Sequence, residues 1–195
     1  MTTIKAAHRA HPEAPPGWGY NPSNWPNRLP IIGVALIGTA IAGYLAAYQL
    51  RLVDDVWEPF FGNGSRVILD SGISRILPIP DAALGMLGYL ADAIAGAIGG
   101  VARWRTMPWI VVLFGLAVGP LGGVSILLVI LQPVLFDTFC TLCLASAVAS
   151  VVMIGPAFDE VLATFQHLRR VALRGRRALW RAFWGLDELA REESR

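Results

Sequence analysis

The stretch FCTLCLASAVASVVMIGPAF, residues 139–158, decides the architecture. It carries the chain's only two cysteines, Cys140 and Cys143, at its head and then runs to Phe158 without a charge. An apolar run of about twenty residues is what a bilayer core of about 30 Å asks of a helix. Asp137 and Thr138 stand just before it as N-cap candidates, so a helix starting there brings both sulfurs to one face of its first turn. Unpaired N–H groups and the positive end of the macrodipole favour a thiolate at that position. In a CxxC so placed, one sulfur attacks a partner disulfide and its neighbour resolves the mixed intermediate. Two plainer readings stand beside this one. Free cysteines also pack as small apolar residues in cores. A zinc site asks for four ligands, and there is neither a neighbouring His nor a second CxxC.

Working outward, three more apolar runs precede this one. Ile31–Leu50 and Trp109–Gln132 are free of charge, and residues 80–100 are interrupted only by Asp81 at the start and Asp92 within. The expected fold is therefore an all-α membrane protein, a bundle of four transmembrane helices. The first run starts too late, is too long and lacks a small-residue cleavage site, which sets it apart from a cleaved signal. A net charge of +2 gives no footing for a nucleic-acid role, but its distribution is informative. Lys5, Arg9 and Arg28 precede the first run, Arg103 and Arg105 separate the second from the third, and Arg169, Arg170, Arg174, Arg176, Arg177 and Arg181 follow the fourth. The connection from third to fourth has no Lys or Arg, and the connection from first to second balances its arginines with acids. The positive-inside rule then puts both termini in the cytoplasm and the CxxC at the outer face, where disulfide chemistry is served.

The stretches between and around the runs divide the chain further. Residues 1–27, rich in Pro, His and small residues, read as a disordered cytoplasmic tail in which His8 and His11 are solvated. Residues 51–79 form an outer loop unusually rich in apolar side chains. Ser65–Ile73 is expected to make a short amphipathic helix there that caps the bundle, and Asn63-Gly64-Ser65 reads as a turn more than a glycosylation site. Gly38, Ala42 and Ala46, and again Gly115, Gly119 and Gly123, fall on helix stripes that let backbones approach closely. Pro120 is expected to bend the third span, and Gln132-Pro133 to close it. Asp92, on a face with Gly88 and Gly96, faces the bundle, either as a proton carrier or in a packing role near Arg103. Beyond Pro156, a separate basic amphipathic cytoplasmic helix is expected over 159–195, lying on anionic lipid or holding a partner.

The order of these features is that of a known family. A first span leads to a loop with Gly64-Ser65-Arg66-Val67-Ile68-Leu69-Asp70-Ser71, then Pro78-Ile79-Pro80-Asp81-Ala82-Ala83-Leu84-Gly85, and a CxxC opens the fourth span. Over residues 28–158 the chain resembles the vitamin K epoxide reductase family, particularly its bacterial members. The resemblance implies a four-helix bundle around a quinone, ubiquinone or menaquinone, with the CxxC passing electrons to it and loop cysteines bringing electrons from thioredoxin-like thiol proteins. It implies that Cys140 and Cys143 are the active pair, Cys143 nearer the quinone, and that Ser71 hydrogen-bonds a quinone oxygen. Trp57, Phe60 and Phe61 are candidates for a lid over it. The chain departs from the pattern in one respect: both loop cysteines are absent, and Ser65 stands where the second belongs. The expected activity is that of a membrane thiol–disulfide oxidoreductase. The competing readings are a non-catalytic quinone-binding or scaffold protein that anchors a redox partner, and a small transporter built around Asp92.

Overall fold

Long charge-free runs can satisfy their backbone in lipid only as helices, and helices dominate. A computed structural model describes residues 14–72, 74 and 78–186. Among them there are seven helices and no strand: α1 (Trp25–Gln49), α2 (Gly64–Leu69), α3 (Asp81–Ala97), α4 (Arg103–Thr106), α5 (Pro108–Phe136), α6 (Thr141–Ala172) and α7 (Arg176–Phe183). Three of these, α1, α5 and α6, are long and apolar enough to cross a membrane. With 17 residues, α3 is shorter.

The bundle is held by close approaches between small and large side chains. Along α1, a Cβ at Gly38 would stand 2.6 Å from the Tyr89 ring of α3, and Gly96 and Gly85 of α3 lie against Ile32 and Ala42 of α1. The two helices therefore run antiparallel along nearly their whole length. Between α5 and α6 the contacts are made by Gly115 against Val161 and Gly122 against Ile154, whereas Gly119 and Gly123 face open space. The expected 115/119/123 stripe thus holds only at its first member. Ile31, Ala35, Tyr89, Phe114, Val118, Met153 and Ala157 fill the centre. Large apolar side chains such as Leu113, Leu127, Ile130, Val148 and Val151 are exposed, as lipid contact requires.

Several boundaries differ from the sequence reading. Pro133 does not close α5, which carries both Pro120 and Pro133 inside it and ends at Asp137 in a left-handed conformation (φ 51°). Nor does α6 stop at Phe158. It continues through Asp159 and Glu160 to Ala172, so no separate helix begins at 159, and only α7 stands apart. Both acids are occupied by distant groups. Tyr20 donates to Asp159 at 2.5 Å, and Ser23 and Arg103 donate to Glu160 at 2.5 Å each. With Trp18 on Gln166 and Asn21 on the Val101 carbonyl, these contacts also fix residues 18–24, part of the stretch expected to be a free tail. His8 and His11 lie outside the described residues.

The α4 end of the bundle is closed by charge. Arg28 and Arg103, each 1% exposed, converge on the C-terminal carbonyls of α3, where cations complement the helix dipole. Arg28 donates to Gly96 at 3.0 Å and Gly99 at 2.8 Å, Arg103 to Ala95 at 2.7 Å and Ile98 at 2.9 Å, and Arg103 also forms a buried ion pair with Glu160. A buried pair of this kind is sustained by the extra hydrogen bonds around it. Arg28 and Arg103 read from sequence as charges flanking the spans; the structure buries both and pairs Arg103 with Glu160.

Candidate functional site at the head of α6

Cys140 is itself the N-cap of α6; its Sγ accepts the Cys143 N–H at 3.1 Å, and the two cysteines are joined as a disulfide. The caps expected from sequence, Asp137 and Thr138, belong instead to the end of α5 and the turn after it. Gln132, buried near the end of α5, accepts the Cys140 N–H at 3.1 Å, so the turn is pinned from behind. Cys140 has no exposed surface, while Cys143 lines a cavity of about 510 Å³.

That cavity lies between α3 and α5, with α6 at its back and Ile68, Leu69, Ser71 and Ser74 as its roof. Apolar side chains dominate its wall, among them Leu45, Leu84, Leu121, Val124 and Leu128. Polar side chains are fewer: Ser71 and Ser74 on the roof, Tyr89, Ser125 and Ser146 on the floor, and Asp81 and Gln132 at the α2 end. Ser74 donates its one hydroxyl proton to the Ile68 carbonyl at 2.8 Å, so the 3.3 Å contact between the two hydroxyls is a long bond given by Ser71, whose hydroxyl can turn from it toward the cavity. A mostly apolar concavity with sparse hydroxyls is the usual form of a site for a small lipophilic ring. Cys143 and Ser71 are thus brought to one chamber.

Trp57, Phe60 and Phe61 are not. None lines the cavity; Trp57 and Phe60 are 62% and 76% exposed, and Phe61 packs against Phe139 with ring centroids 5.4 Å apart. The expectation that they form a lid on the cavity is corrected accordingly. The loop lies over Cys140, not over the chamber, because it is fastened at another residue.

That residue is Glu58, one of several acids in the loop and not singled out by sequence. Its carboxylate accepts from Thr141 N–H at 2.9 Å, from Thr141 Oγ1, from Ser65 Oγ at 2.5 Å, and from the Phe60 and Phe61 N–H groups at 3.3 Å. Burial pushes this carboxyl up, but the hydrogen bonds from Ser65 and Thr141 outweigh it and bring its pKa down to about 2. A full negative charge therefore sits on the first turn of α6. Gly64 completes the closure: a Cβ there would stand 2.1 Å from the Phe139 carbonyl, so only glycine lets α2 lie so close. The helix itself is shorter than Ser65–Ile73, running over Gly64–Leu69 with Ile68 and Leu69 buried and Val67 exposed. Tyr48 to Asp70 at 2.9 Å and the Arg66–Asp55 ion pair tie its other side to α1 and the loop.

Comparison with known proteins bears on this arrangement at one point. The family model described as "Vitamin K epoxide reductase family" matches residues 29–158, well over half of the 195-residue chain. No curated protein and no solved structure matches the chain.

Proposed function

Because the chain belongs to the vitamin K epoxide reductase family, a family of membrane thiol oxidoreductases, we propose that it exchanges electrons between the Cys140/Cys143 pair and a membrane quinone in the chamber between α3 and α5. The observation that carries this reading is that Cys143 and Ser71 share one apolar cavity while Cys140 lies on its far side, under the loop. Cys140 is the exchanging sulfur, met by the thiol of a thioredoxin-like partner, and Cys143 is the sulfur that faces the quinone. Ser71 turns its hydroxyl from the long contact with Ser74 to donate to a quinone carbonyl. The quinone, ubiquinone or menaquinone, supplies a two-electron, two-proton acceptor within the bilayer.

In this reading α3 is the fourth crossing. Its antiparallel run beside α1, from Arg28 at one end to the Gln49–Asp81 hydrogen bond at the other, supports it. The 21 residue-to-residue steps from Arg28 to Gln49 rise about 32 Å, close to a bilayer core. The α2 end faces outward and the α4 end, with Arg28, Arg103 and Arg105, faces the cytoplasm, as does α7 with its arginines. The chain is of the bacterial type but has no loop cysteine pair, since Cys140 and Cys143 are its only cysteines. Ser65 stands in place of one of them and is held by Glu58. Partner thiols therefore reach Cys140 directly, once the loop lifts.

The experiment is extraction of lipid-soluble cofactor from protein purified in mild detergent, alongside Leu121→Trp. A quinone that co-purifies with the wild type and is depleted in the cavity-filled variant is expected. A wild type that neither retains nor rebinds quinone overturns the proposal.

A further inference from the structure

One titratable group in the bundle has no task in this scheme. Asp92 of α3 is 1% exposed, and neither carboxylate oxygen has a hydrogen-bond partner. An ionised carboxylate so placed is far too costly to persist, so the group is held as the neutral acid. One turn toward the α2 end, Gly88 abuts Leu121 of α5; one turn toward the α4 end, Gly96 abuts Ile32 of α1. Asp92 therefore points into the bundle between those two helices. Three residues above it, about 4.5 Å along the axis, is Tyr89. The Tyr89 hydroxyl bonds Ser150 Oγ at 2.5 Å, Ser125 donates to the same oxygen at 3.0 Å, and Tyr89 and Ser125 reach the cavity wall. Four residues below it, about 6 Å along the axis, is Gly96, whose carbonyl receives Arg28 and Arg103. On the elements packed against α3, the buried charged groups at the α4 end are Arg28 of α1, Arg103 of α4 and Glu160 of α6, and the arginines are engaged with carbonyls or with Glu160.

We propose that Asp92 is a proton carrier that links the charged α4 end of the bundle to the hydroxyls of Tyr89, Ser150 and Ser125 at the cavity floor. The proposal rests on the quinone reading above. Forming the Cys140–Cys143 bond from two thiols releases two electrons and two protons, and reducing a quinone to the quinol takes up two of each. The electrons pass through Cys143. The two thiol protons leave at the α2 end, and two protons arrive one after the other by way of Asp92, which is reprotonated from water at the α4 end. Dithiol and quinone give disulfide and quinol, with two protons moved from the α4 side to the α2 side.

The test uses the full-length protein in detergent and in oriented proteoliposomes. Infrared spectra of the resting wild type are expected to carry a protonated-carboxyl C=O band that Asp92→Asn removes. That variant is expected to bind quinone as the wild type does but to reduce it about a hundredfold more slowly, the usual loss when a proton-transfer group is removed, and Asp92→Glu is expected to restore most of the rate. In proteoliposomes a pH dye on the α4 side is expected to report proton uptake. A wild type without the band, Asp92→Asn turning over at the wild-type rate, or protons drawn only from the α2 side would each overturn the relay. A wild type that carries the band but reduces no quinone would overturn the quinone reading instead.

Discussion

Removing the Glu58 carboxylate should uncover the disulfide. Cys140 is fully buried, and half-buried Cys143 lines an apolar chamber, so a hydrophilic phosphine is expected to reach the bond when residues 58–65 lift away. Glu58→Ala strips the acceptor from Thr141 N–H, Thr141 Oγ1 and Ser65 Oγ together. At about 1 kcal/mol for each bond, the closed state loses about 3 kcal/mol, and the open population rises about a hundredfold. Glu58→Gln keeps an acceptor but gives up the charge, a loss of about 1 kcal/mol or about fivefold. The assay is the rate of disulfide reduction by a carboxylated phosphine, read by thiol labelling. Acid provides an internal control. The folded-state pKa of Glu58 lies at about 2, below the ordinary 4.5, so its contribution is complete above pH 4.5 and lost as pH falls through about 2. Because the group is partly solvated, that contribution is well below what the full shift implies. The ratio of wild-type to Glu58→Gln rates, which cancels the reagent's own titration, should rise across that window. Equal rates for wild type and Glu58→Ala would refute the reasoning.

Other perturbations test other joints. Glu160→Gln leaves the buried Arg103 guanidinium without its countercharge and should destabilise the bundle by about 3–5 kcal/mol, read as thermal unfolding in detergent. Gly38→Ala sets a Cβ 2.6 Å from the Tyr89 ring, which is itself anchored to Ser146 and Ser150, and should cost about 1–3 kcal/mol in the same assay. Ser71→Ala should weaken quinone binding about threefold to tenfold by loss of one hydrogen bond, whereas Trp57→Ala and Phe60→Ala should leave affinity unchanged, measured by quinone titration.

Much of this layout was legible in the chain because a membrane demands helices wherever charge is missing. The runs around Ile31–Leu50, Trp109–Gln132 and Phe139–Phe158 needed no periodicity to be read. Their ends were harder. Pro133 suggested a stop, yet α5 continues to Phe136, where an unpaired backbone has no water to turn to. Asp159 and Glu160 looked like the start of a new helix because acids favour N-termini. Their actual partners, Tyr20, Ser23 and Arg103, lie 139, 137 and 57 residues away and could not be paired from spacing. At the site, Cys143 is read from the CxxC that heads its apolar run and Ser71 is implied by the family resemblance, and both line one cavity. Glu58 was missed because nothing local distinguishes it from Asp54 or Asp55; only the arrival of Thr141 from across the sequence does. Phe60 and Trp57 illustrate the converse, since bulky apolar loop residues suggested a lid but remain exposed.

The central claim is tested most directly by a single turnover without oxygen. Fully reduced protein is mixed with one equivalent of quinone, and thiol loss and quinone absorbance are followed together. One disulfide formed for each quinone reduced, with no quinone reduction in Cys143→Ser, is the predicted result. Thiols that persist while quinone stays oxidised, or quinone reduction that continues in Cys143→Ser, would contradict it.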